Sequence, residues 1–117
     1  MVFCSQTLNH DVDRAVLALA ARLGASAGAV FRLFLEAGLA QLKLGVPLPP
    51  KVEESALVLR TIYIRVECDL ALQGIAHHRR IEGWELGARV LRLGFDSLAP
   101  LLDVSRRLNA IGVAQDP

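Results

Sequence analysis

The chain is 117 residues long, 53% apolar and 21% charged, with a formal net charge of +1 at pH 7. That is one domain's worth of protein, and the composition excludes a disordered or low-complexity chain. Thirteen basic residues against 12 acidic ones exclude a grossly polybasic nucleic-acid binder, but not a localised basic face.

Aromatics are only 5%, so Leu, Val, Ile and Ala must make the core, which favours helices over a sandwich. Residues 2–8 are β-prone and too short for a helix. Asn9-His10-Asp11 is a helix start: Asn9 can cap, and Asp11 and Asp13 suit the positive end of the dipole. Val12, Val16, Leu19 and Leu23 follow at helical spacing, so an amphipathic helix is expected over 11–23, with Gly24 as its stop. Ser26 can cap a second helix over 27–43, apolar nearly all round, which must be buried on more than one side. The prolines of Gly45-Val46-Pro47-Leu48-Pro49-Pro50 forbid a helix and open a linker, 44–58.

The same order of elements then returns. Residues 60–66 alternate as a strand, with Ile62, Ile64 and Val66 on one face and Thr61, Tyr63 and Arg65 on the other. A helix is expected from Asp69 to about Ile81, stopped by Gly83. Another is expected over 85–98, and a short final one begins at Pro100 and runs to about Ile111. Val30-Phe31-Arg32-Leu33 compares with Val90-Leu91-Arg92-Leu93 at a separation of 60, and Leu8 with Val66 at 58. The reading is a duplicated strand–helix–helix unit: repeat one 2–43, repeat two 59–98, then a C-terminal helix and tail 100–117, all within one domain 1–117. One unit alone has an unpaired strand and an unburied helix; two units solve both problems if their strands pair antiparallel. The expected fold class is mainly α with a short antiparallel β-ribbon.

Chemistry-bearing patterns are sparse. Cys4 and Cys68 form neither a disulfide framework nor a zinc pattern, and free thiols suit a reducing cytoplasm. Cys68 falls at a helix start, where a thiol pKa is lowered. His77 and His78 are adjacent, so on a helix they point about 100° apart and do not share a metal. There is no GxSxG, P-loop, HExxH or plausible triad, so no enzyme, metal or cofactor is expected. The N-terminus has no basic n-region or long apolar run, and Arg32 and Glu36 interrupt the longest apolar stretch; neither a signal peptide nor a membrane span is expected.

The turn Gly24-Ala25-Ser26, helix two beginning near Val30-Phe31-Arg32, and the strand Thr61-Ile62-Tyr63-Ile64-Arg65-Val66-Glu67 before Asp69-Leu70 together resemble the ribbon-helix-helix (MetJ/Arc-like) DNA-binding family. The tandem arrangement is similar to single-chain TraY-type accessory proteins of plasmid conjugation. The resemblance implies two ribbon-helix-helix units forming one intramolecular pseudo-dimer, with the ribbon in the major groove of double-stranded DNA. It implies base contacts from Ser5 and Thr7, with Phe3 on their face, and from Thr61, Tyr63 and Arg65. It also implies phosphate contacts at Ser26 and Ala27, with Trp84 and Glu85 in the corresponding place of repeat two. Unequal strands imply an asymmetric site, for a bacterial regulator or a plasmid transfer or partition accessory protein working with a relaxase or similar partner.

The chain departs from the family in several places. Gln6 shares the face of Leu8, the first strand carries no cation, Trp84 replaces a small capping residue, and Glu85 repels phosphate. The near-neutral charge and Glu85 favour a second expectation, a protein-interaction adaptor or antitoxin-like partner that keeps the fold without strong DNA binding.

Overall fold

The computed structural model describes the backbone of residues 2–51 and 57–111, and the side chains of residues 10–51 and 58–101. The chain is mainly helical. Its elements are β1 (Val2–Asn9), α1 (His10–Leu23), α2 (Ala27–Lys43), β2 (Leu57–Ile64), α3 (Val66–Arg79) and α4 (Gly83–Ile111). The order strand–helix–helix therefore occurs twice.

β1 and β2 pair antiparallel into a two-stranded ribbon, running from Val2 opposite Ile64 to Asn9 opposite Leu57. Ile62 and Ile64 are buried beneath it, while Thr61 and Tyr63 lie exposed, as the alternation requires. One core gathers Val16 from α1, Phe31, Phe34 and Leu35 from α2, Ile64 from β2, Leu72 from α3, and Leu86 and Leu91 from α4. Burying a Leu, Val or Phe side chain contributes about 1.5–3 kcal/mol each, so this shared core is the main stabilising contribution.

Several boundaries differ from the sequence expectations. β1 runs straight into α1, so Asn9 is the last strand residue. On α1 Val12, Val16 and Ala20 are buried, but Leu23 is exposed. α2 buries a stripe of Val30, Phe31, Phe34, Leu35, Gly38, Leu39 and Leu42, and leaves Leu33 in solvent; the helix is not buried all round. β2 ends at Ile64, so Arg65 and Val66 leave the strand: Arg65 is the N-cap of α3, and Val66, expected inward, opens that helix exposed. Glu67 and Asp69 then occupy the first turn, where the dipole favours acids. α3 is stopped by Arg80 in the left-handed region (φ 56°), and Gly83 begins the next helix instead of ending this one. α4 passes through Pro100 without a break, where a separate short helix was expected. The proline forfeits one backbone donor, and the helix continues around it.

The internal repeat has a period of 56, not 58 or 60. α1 opens at His10 and α3 at Val66; α2 opens at Ala27 and α4 at Gly83. Gly24 and Arg80 both have positive φ and close equivalent turns: Ala25 N–H donates to Ala20 O, and Ile81 N–H to Ala76 O, each at 3.0 Å. The shift that aligned Val30 with Val90 matched like residues on the wrong helical turn. Phe34-Leu35 and Val90-Leu91 are the equivalent core pairs.

The new period explains a close approach of two helix backbones. α2 and α4 make the most extensive helix–helix contact and cross at Gly38 and Gly94, which are 56 apart. A Cβ on Gly38 would overlap the carbonyl of Val90, and one on Gly94 the carbonyl of Phe34. Val90 and Phe34 are themselves 56 apart, so the two contacts interchange, as a pseudo-twofold relation demands. The same shift maps Ser5 onto Thr61, which face each other at the centre of the ribbon.

Candidate nucleic-acid interface

In the described part of β2, the uncovered face of the ribbon carries Leu59, Thr61 and Tyr63. Leu59 is 69% exposed and Tyr63 48%. Opposite them in register stand Thr7, Ser5 and Phe3. The side chains of Phe3, Ser5 and Thr7 lie outside the described residues, as do those of Cys4, Gln6, Arg106 and Arg107. The backbone register alone puts Ser5 and Thr7 at positions equivalent to Thr61 and Tyr63.

No cation stands on this face among the described residues of β2. Arg60 belongs to the opposite face. It grips Asp13 of α1 with two bonds, Nε to Oδ1 at 2.7 Å and Nη2 to Oδ2 at 3.0 Å. Asp13 is only 4% exposed and is, among the described residues, the buried charged side chain of the core. Its carboxylate raises the Arg60 guanidinium pKa further, against a smaller opposing effect of burial. This fork-to-fork pair ties β2 to α1 and fixes which face of the strand turns inward.

Arg65, expected on the ribbon, lies beyond its end. Its Nε is 3.1 Å from Glu36 Oε1 on α2, a buried oxygen that accepts no hydrogen bond, so the two meet as a charge pair alone. Cys68, in the first turn of α3, departs from the expected lowering. Burial first, and then the nearby Glu36 carboxylate, push its thiol pKa up.

Ser26 is the N-cap of α2, and its Oγ accepts a hydrogen bond from Ala29 N–H at 3.2 Å. No acid occupies the first turn of that helix. Ala27, the first helical residue, is half-buried. The corresponding place in the second half belongs to Glu82: Leu86 N–H bonds Glu82 O at 2.9 Å, as Val30 N–H bonds Ser26 O at 3.3 Å. Trp84 is therefore the counterpart of Gly28, not of Ser26. It lies half-buried under Lys51, whose Nζ is 5.5 Å from the ring centroid.

Lys51 also reaches Glu85 at 3.5 Å, and Arg89 donates to Pro49 O at 2.7 Å while pairing with Glu85 at 3.0 Å. Residues 49–51 are thus strapped across the start of α4, and Glu85 is neutralised by two cations of the chain itself. Beside it, an open cleft of about 630 Å³ is lined by His77, His78, Arg80, Glu82 and Gly83. The sequence reading missed Leu59 on the ribbon face and the two ion pairs of Arg60 and Arg65. The glycine pair Gly38/Gly94 was the available signal for the correct period.

Among the described residues no single helix is long and apolar enough to cross a membrane. No family model, curated protein or solved structure matches the chain.

Proposed function

We propose that the chain is a tandem ribbon-helix-helix protein that binds double-stranded DNA, with its two-stranded ribbon in the major groove. The observation that carries this reading is the ribbon itself. One face is buried on the helices through Ile62 and Ile64, and the other is uncovered through Leu59, Thr61 and Tyr63. A two-stranded ribbon fits the major groove, and hydroxyl side chains accept or donate to base edges there. The Ser26-capped start of α2, free of acid in its first turn, is the phosphate anchor of the first half. The second half has a weaker anchor, because an acid, Glu82, stands where Ser26 caps the first. The site recognised is accordingly asymmetric, and the protein serves as a cytoplasmic bacterial regulator or plasmid-transfer accessory factor.

A second reading, a protein-interaction adaptor, is favoured by one observation: the described ribbon face carries an exposed leucine and no cation. Fluorescence anisotropy with random-sequence duplex DNA separates the two. DNA binding in the groove should fall steeply between about 50 and 200 mM salt, as released counterions require. It should also weaken in Tyr63→Ala. Absence of binding at low salt, to random and to selected duplexes alike, would leave the adaptor reading.

A further inference from the structure

The ribbon's chemistry restricts what it can read. Direct readout of guanine uses Arg or Lys, and readout of adenine uses Asn or Gln, each through paired hydrogen bonds. None of these stands on the described outward face of β2. Arg60 is turned inward by Asp13, and Arg65 lies past the strand's end beside Glu36. The outward set is instead one exposed aliphatic side chain, Leu59, and two hydroxyls, Thr61 and Tyr63. Charge does not oppose DNA here: this face carries no carboxylate in its described part, and the acids nearest β2 in these contacts, Asp13 and Glu36, are each paired with an arginine.

The major-groove feature that an aliphatic side chain recognises is the 5-methyl group of thymine. Resting on the DNA-binding reading above, we propose that Leu59 is a specificity-determining residue that selects thymine through its methyl group, and that Arg65 is not a base reader. The pseudo-twofold relation adds a positional constraint. Thr61 crosses Ser5 at the ribbon's centre, so Leu59, two residues away, reads a base displaced to one side of the site's centre.

Deoxyuridine provides the test, because it pairs like thymine and lacks only the methyl. Duplexes are selected from a random library by the full chain, and each thymine of the selected site is then replaced singly by deoxyuridine. At one off-centre position the wild type should lose about fourfold in affinity, the value of one buried methyl. Leu59→Ala should bind the thymine and deoxyuridine duplexes equally. Arg65→Ala should keep the wild-type preference. Leu59 is so exposed that its truncation leaves the core intact, which circular dichroism checks. Tight DNA binding that is indifferent to deoxyuridine everywhere would overturn the thymine assignment while leaving the DNA reading in place. A penalty that persists in Leu59→Ala would do the same. Failure to select or bind any duplex at low salt would overturn the DNA reading, and the assignment with it.

Discussion

The α2–α4 crossing supports a sharp stability prediction. At Gly94, an added methyl meets the backbone carbonyl of Phe34 and comes within 2.9 Å of Gly38 N. At Gly38, it meets the carbonyl of Val90 and lies 2.9 Å from the carbonyl carbon. These are backbone atoms within helices, so no side-chain rotation relieves the overlap. The helices must separate by roughly 1 Å, which forfeits a quarter to a half of each dispersion contact along the seam. Phe34, Leu35, Val90 and Leu91 line that seam, each at most 1% exposed. Overpacking and lost contacts should cost about 3–5 kcal/mol, offset by about 1 kcal/mol from alanine's better helix propensity. Gly94→Ala should therefore lower stability by a net of about 2–4 kcal/mol, and the melting temperature by roughly 8–16 °C. Gly74 on α3 is the control, since a methyl there meets nothing within 4 Å. Gly74→Ala should be neutral or stabilising by up to about 1 kcal/mol. Thermal and urea unfolding followed by circular dichroism reads both variants. A Gly94→Ala protein that melts with Gly74→Ala would refute the close crossing.

Three further outcomes follow from local interactions. Ser26→Ala removes the bond to Ala29 N–H and should cost about 0.5–2 kcal/mol in urea unfolding. Asp13→Ala leaves Arg60 without its forked partner and should cost about 1–3 kcal/mol, less than a fully buried pair because Arg60 still reaches solvent. Asp11 has its pKa lowered: burial opposes this, but the hydrogen bond and charge of Arg92 and the backbone amides outweigh it. A depressed carboxylate stabilises the fold above its unfolded pKa and loses that contribution as pH falls through the folded value. Asp11→Asn should therefore lower the urea midpoint slightly at pH 7, and the difference from wild type should shrink as pH falls below the usual carboxylate range.

The element order and the facing of β2 were legible in the sequence because alternation is a local signal. Ile62 and Ile64 against Thr61 and Tyr63 announce an inward and an outward side without any tertiary information. The repeat period was not legible from residue likeness. Val-x-Arg-Leu recurs on both long helices, yet burial follows the helical turn, and the helix starts, the two positive-φ turns and the Gly38/Gly94 crossing all give 56 and not 60. Strand length was misread at Arg65 because β propensity continues through Val66, whereas the acids Glu67 and Asp69 start a helix there. Pro100 was read as a helix start because a proline favours first-turn positions; the signal that a helix already surrounds it lies on both sides at once. The candidate reader set consequently moved by one alternation, from Thr61, Tyr63 and Arg65 to Leu59, Thr61 and Tyr63.

The period of 56 also gives two ion pairs a common meaning. Arg92 on α4 meets Asp11 at the start of α1 at 2.8 Å, and Glu36 on α2 meets Arg65 at the start of α3 at 3.1 Å. Arg92 and Glu36 are equivalent positions, so each second helix reaches the first helix of the other half, with the signs reversed. Pairing of two identical first halves from separate chains would instead set Glu36 near Asp11. Pairing of two second halves would set Arg92 between Arg65 and Glu67, the position equivalent to Asp11. The first is a like-charge encounter and the second sets attraction against repulsion, so the charge pattern favours pairing of unlike halves, which the linker can supply within one chain. Each partly exposed pair contributes only about 0.2–1 kcal/mol, but two lost attractions and two repulsions together give roughly 1–3 kcal/mol of preference against pairing of first halves. Glu36→Arg should therefore lower stability by about 1 kcal/mol, and adding Arg65→Glu should restore it, in a double-mutant cycle whose coupling shrinks with salt. The double variant Glu36→Arg with Arg92→Glu makes two first halves complementary, and light scattering should detect more dimer than in the wild type at the same concentration. A coupling energy of zero between positions 36 and 65, together with an unchanged mass for the double variant, would reduce both pairs to incidental surface contacts.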